Sequence, residues 1–86
     1  MLTENIIINA GSGLHARPAG ELVKLVKGFT GSRITLSTPA KSVNAASMLS
    51  LLSLGLKKGT EVTVSVEGGD EEGALKSVIE FLKNFD

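Results

Sequence analysis

Thr60-Glu61-Val62-Thr63-Val64-Ser65-Val66-Glu67 is the stretch that most limits how this chain folds. Apolar and polar residues alternate, so Val62, Val64 and Val66 share one face of a strand while Thr63 and Ser65 take the other. Such a strand needs a cover on its valine side only. The cover follows directly. Gly68-Gly69 turns the chain, Asp70 is a good N-cap, and Glu71 and Glu72 suit a first helical turn. Behind them Ala74, Leu75, Val78, Ile79, Leu82 and Phe85 form the apolar stripe of a helix.

The rest of the chain switches period in the same way. Glu4-Asn5-Ile6-Ile7-Ile8-Asn9-Ala10 is β-branched and short and reads as a buried strand, broken by Gly11-Ser12-Gly13. From Ala16 the period becomes helical, with Ala19, Leu22, Val23 and Val26 on one side and Glu21, Lys24 and Lys27 on the other. Pro18 suits the first turn, where its missing N–H costs nothing. Gly20 is worse than Ala in a helix by about 1 kcal/mol, and Gly28 is a plausible stop. Arg33 to Thr38 alternates as a second strand, Pro39-Ala40 turns, and Ser42-Val43-Asn44 returns as a short third strand. Ser47 to Leu54 reads as a short helix closed by Gly55, and Lys57-Lys58-Gly59 connects it to the valine strand. The order is βαββαβα, within one domain spanning residues 1–86. Strands with one apolar face and helices with one apolar stripe imply an α+β fold of two layers, a mainly antiparallel sheet with helices on one side and water on the other.

Composition removes several functions. There are no cysteines, which excludes disulfides and thiolate metal sites. Nine basic residues balance nine acidic ones, against the basic excess expected of a nucleic-acid binder. Without Trp or Tyr there is no aromatic platform on which to stack bases. No apolar run approaches the ~20 residues of a membrane span, and Met1-Leu2-Thr3-Glu4-Asn5 has no basic region of a signal peptide. The expectation is a soluble cytoplasmic protein with no membrane insertion and no nucleic-acid partner.

The segment carrying chemistry is Gly11-Ser12-Gly13-Leu14-His15-Ala16-Arg17-Pro18-Ala19, which joins a strand to a helix. His15 is the only histidine, so any imidazole chemistry runs through it. A helix N-terminus offers unpaired N–H groups and a partial positive charge, and Arg17 adds a permanent cation. Neutral imidazole is a competent nucleophile there, with donors in place for phosphate oxygens. Position 16 is Ala, so the glycine fingerprint of dinucleotide sites is incomplete. Taken alone, these spacings indicate an anion site and stop short of a phosphoryl acceptor; a histidine at a helix start also serves as a cap.

Gly13-Leu14-His15-Ala16-Arg17-Pro18-Ala19 resembles the signature of the HPr family, the histidine-containing phosphocarriers of the bacterial phosphoenolpyruvate:sugar phosphotransferase system. The resemblance extends to the element order, to Lys27-Gly28-Phe29, and to Ser53-Leu54-Gly55-Leu56-Lys57-Lys58-Gly59 before the valine strand. It implies an open-faced β-sandwich, a four-stranded antiparallel sheet covered on one face by three helices. It implies that His15 accepts phosphate on Nδ1 from phosphorylated Enzyme I and passes it to IIA domains of sugar permeases. Arg17 would then neutralise the phosphate, with Ser12 and Ala16 supporting the site and Ser12 capping the helix start. The carrier needs no metal and no cofactor by this resemblance, and is expected to be monomeric.

Ser47 matches the family's regulatory serine, the substrate of HPr kinase/phosphorylase, whose product acts on a transcription regulator. A short helix also needs Ser47 as N-cap for local reasons, and phosphate at a helix N-terminus is compatible with that role. Leu51-Leu52 leans toward the nitrogen-related regulatory branch of the family, and Ser53-Leu54-Gly55 toward the sugar branch. The helix itself indicates a docking edge: Met48, Leu49, Leu51, Leu52 and Leu54 cover an arc of roughly 220°, about twice what a covering helix buries. Leu49 and Leu52 are expected to be exposed; the resemblance implies that this edge adjoins His15, with Gly20, Lys24, Lys27 and Met48 completing the partner-binding face. Glu67, Asp70, Glu71 and Glu72 are expected to cap a helix rather than bind a cation.

Overall fold

The computed structural model describes residues 1–9 and 13–85. Ser12, expected at the phosphate site, and Ala10, expected in the first strand, lie outside the described residues. The elements are β1 (Leu2–Ile7), α1 (Ala16–Lys27), β2 (Arg33–Ser37), β3 (Ser42–Asn44), α2 (Met48–Leu54), β4 (Glu61–Glu67) and α3 (Glu71–Asn84).

The valine strand lies inside the sheet, whose order is β1-β4-β2-β3 with every pair antiparallel. Ile6 stands opposite Val62, Leu36 opposite Val64, and Val66 between Leu2 and Ile34. Val62, Val64, Val66, Ile34 and Leu36 are all buried. On the other face Thr35, Thr63 and Ser65 are only partly covered, and Thr63 Oγ1 donates to Asn5 Oδ1 (2.7 Å) across the β1–β4 pair. The fold is an open-faced α+β sandwich. α3 packs on β1 and β4, α2 on β3, and α1 on both helices. α1 buries Pro18, Ala19, Leu22 and Val26, and α3 buries Ala74, Val78, Ile79 and Leu82.

The first strand differs from the reading of residues 4–10. It starts at Leu2 and ends at Ile7 because β4, its one partner among the described residues, runs from Glu61 to Glu67. Its isoleucines also do not form one buried run. Ile6 and Ile8 point inward while Ile7 is 48% exposed, as the two-residue period of an edge strand requires. Of the acidic residues expected to cap α3, Asp70 is its N-cap. Asp70 accepts from the Gly73 N–H at 3.0 Å. Glu71 accepts from the Gly68 N–H at 2.8 Å and pairs with the Met1 ammonium at 3.2 Å. The Gly68 hydrogen bond, helped by the ammonium, holds the Glu71 carboxyl below its ordinary value.

Candidate functional site

The segment before α1 is held by the connector between α2 and β4. Ile8 N–H donates to the Thr60 carbonyl (2.9 Å), and Gly59 N–H donates back to the Ile8 carbonyl (2.8 Å). On the far side of the segment, Leu14 N–H donates to the Leu56 carbonyl at 2.8 Å. Gly13 makes this approach possible. Its φ is +69°, and a Cβ there would stand 2.5 Å from the Leu56 carbonyl oxygen and 3.0 Å from Lys57 Cα. Leu14 is buried in the core, and the next residue, His15, is exposed. A left-handed glycine and a buried leucine thus present the imidazole to solvent.

His15 occupies the N-cap position of α1 with extended backbone and no side-chain capping bond. Pro18 has no N–H, and Ala19 N–H is used by the His15 carbonyl at 2.9 Å. The amides of Ala16 and Arg17 therefore fall outside the helix's own ladder. Together with the helix dipole they form a positive, solvent-facing end beside the imidazole. Arg17 is 87% exposed, and its Nε lies 3.9 Å from Glu21 Oε2, one helical turn on. That partner was within reach of the sequence, since Arg17 and Glu21 stand four apart on a helix. Gly13 and its contact with Leu56 and Lys57 were not, because no local pattern joins them.

Ser47 is the N-cap of α2, its hydroxyl accepting from Ser50 N–H at 3.3 Å. Met48 is 38% and Leu49 82% exposed. Leu52, expected to be exposed with Leu49, is instead half-buried and packs against the core. Leu51 and Leu54 set the inward direction of α2. Leu49 then lies about 170° from it and Leu52 about 130°, close enough for a long side chain to fold back. Gly20 continues α1 without a break and faces Met48, whose Cε would lie 4.0 Å from a Cβ at that position. Lys24 and Lys27 are exposed in the last turns of α1, where cations suit the helix dipole.

The family described as PTS HPr component phosphorylation site matches residues 2–84. This chain belongs to the HPr family. It is 39% identical to the phosphocarrier protein HPr of Haemophilus influenzae over 79 residues, 92% of each chain. It is 43% identical to that of Buchnera aphidicola over 76 residues, 88% of each. Among solved structures it resembles an HPr of Thermoanaerobacter tengcongensis with a TM-score of 0.89 and 39% identity, covering 95% of this chain and 91% of that one. HPr proteins are phosphocarriers of the phosphotransferase system, and that coarse role applies to this chain. Among the described residues no helix is long and apolar enough to cross a membrane.

Proposed function

We propose that residues 1–86 form one carrier domain in which His15 accepts phosphate from phosphorylated Enzyme I and delivers it to IIA domains of sugar permeases. The observation that carries the reading is the exposed imidazole at the N-cap of α1, beside two amides outside the helix ladder. An Nδ1 lone pair of neutral His15 forms the N–P bond as the donor's bond to phosphorus breaks, and the donor group leaves with the bonding pair. The Ala16 and Arg17 amides and the Arg17 guanidinium then face the phosphoryl oxygens. Transfer to a IIA domain reverses these steps.

Met48 and Leu49 provide an apolar docking edge, Leu52 its inner flank, and Lys24 and Lys27 a basic rim. Gly20 lies on α1 beneath that edge, facing Met48. Because donor and acceptor use one face in turn, the carrier acts as a cytoplasmic monomer. Ser47 is a regulatory site for HPr kinase/phosphorylase, its phosphate favoured by the helix start, and phosphoserine is the form read by a transcription regulator.

Incubation with phosphoenolpyruvate and a sugar-type Enzyme I tests the carrier role. Intact mass should rise by one acid-labile phosphoryl group, and the H15A protein should stay unmodified. Equal labelling of both proteins, or none of the wild type while Enzyme I is charged, overturns the assignment. For Ser47, ATP-dependent labelling by the kinase should be lost in S47A.

A further inference from the structure

Arg17 and Glu21 line one groove of ≈ 390 Å³ between the start of α1 and the end of α3, with Pro18, Phe81, Asn84 and Phe85. The far wall carries the Phe81 and Phe85 rings, stacked with centroids 5.7 Å apart. In the uncharged protein the guanidinium lies along the helix as a loose ion pair, its Nε 3.9 Å from Glu21 Oε2. On charging, it acquires a second anion two residues before it, on His15. One guanidinium then faces a carboxylate on one side and a phosphoryl group on the other.

We infer that Glu21 is a positioning residue that competes with the phosphoryl group for Arg17 and so keeps phosphate on His15 transferable. The inference rests on His15 being the phosphoryl acceptor and Arg17 its neutralising cation. By linkage, whatever Glu21 gains from Arg17 in the uncharged state must be given up, or shared, when His15 is charged. The phosphorylated state is raised, relative to the free one, by the part of that interaction it loses. Both side chains are more than half exposed, so the pair is weak and easily opened. A pair of that kind shifts the equilibrium about twofold at low salt. A carrier that must both take and release phosphate gains from a small correction of this sort, whereas a buried pair would lock the arginine.

The test is the charging equilibrium of the carrier against a limiting pool of phosphorylated Enzyme I. E21Q should shift it about twofold toward the charged carrier at low salt. The shift should vanish near 1 M salt, where screening acts within about 3 Å. Glu80→Gln removes a like charge from the exposed side of α3 and should leave the equilibrium unchanged. In an Arg17→Gln background, E21Q should have no effect. An unchanged equilibrium in E21Q with a normally charged wild type overturns this inference alone. A shift that persists without Arg17 also overturns it, because Glu21 would then repel phosphate directly. A wild type that takes no phosphate on His15 overturns the underlying carrier reading instead.

Discussion

Replacing Gly13 by Ala tests how the reactive segment is held, and Gly55 supplies the control. The two glycines have nearly the same backbone, φ +69° and φ +68°. An added Cβ at Gly55 meets nothing within 4 Å, whereas at Gly13 it meets the Leu56 carbonyl oxygen at 2.5 Å and Lys57 Cα at 3.0 Å. Left-handed strain is common to both variants and amounts to about 1–2 kcal/mol, partly offset by the stiffer unfolded chain. Only in G13A must two backbones move apart. That movement breaks the Leu14 N–H to Leu56 carbonyl bond of 2.8 Å, and leaving such groups unpaired costs about 1–3 kcal/mol. G55A should therefore lose about 1 kcal/mol and G13A about 2–4 kcal/mol. The gap corresponds to ~4–24 °C in melting temperature. The chain has no Trp or Tyr, so urea denaturation followed by far-ultraviolet circular dichroism is the suitable assay. Equal losses in the two variants would refute the clamp between Gly13 and the Leu56-Lys57 backbone.

Other substitutions separate stability from docking. Gly20→Ala places its Cβ in ordinary contact with Met48 and should stabilise α1 by about 0.5–1 kcal/mol, read by the same denaturation. Leu49→Ala, at a residue 82% exposed, should change stability by no more than about 0.5 kcal/mol while slowing phosphate transfer from Enzyme I; unchanged transfer rates would remove Leu49 from the docking edge. Ser47→Ala should cost about 1 kcal/mol by loss of the cap, with or without any kinase. Glu71 has a folded-state value below the ordinary 4.5, so its contribution is present above that pH and is lost as pH falls through the depressed value. The acid limb of the stability curve should accordingly be shallower in Glu71→Gln, measured by melts between neutral and acidic pH.

Much of the architecture follows from short-range pattern. The alternation of Val62, Val64 and Val66 orients β4, Asp70 starts α3 through its bond to Gly73 N–H, and Ser47 caps α2 as its residue type suggests. The position of His15 at the start of α1 was legible because Gly13 and Pro18 bracket a change from strand to helix. What was not legible depends on partners distant in sequence. The limits of β1 are set by the extent of β4, not by the isoleucine run. The half-burial of Leu52 depends on which way Leu51 and Leu54 turn α2 against the core. The need for glycine at position 13 comes from the Leu56-Lys57 backbone, which no local pattern announces. Arg17 and Glu21 are the opposite case: their spacing was available, and only the side of the helix they share, facing Phe81 and Phe85, required the fold.

The measurement that bears most directly on the central claim is phosphorus NMR of the charged, ¹⁵N-labelled protein, before and after a IIA domain is added. The account predicts a single phosphorus resonance coupled to Nδ1 of His15, which disappears as the IIA domain takes the phosphate. A resonance without nitrogen coupling, or a nitrogen-coupled one that persists beside a competent IIA domain, would contradict it.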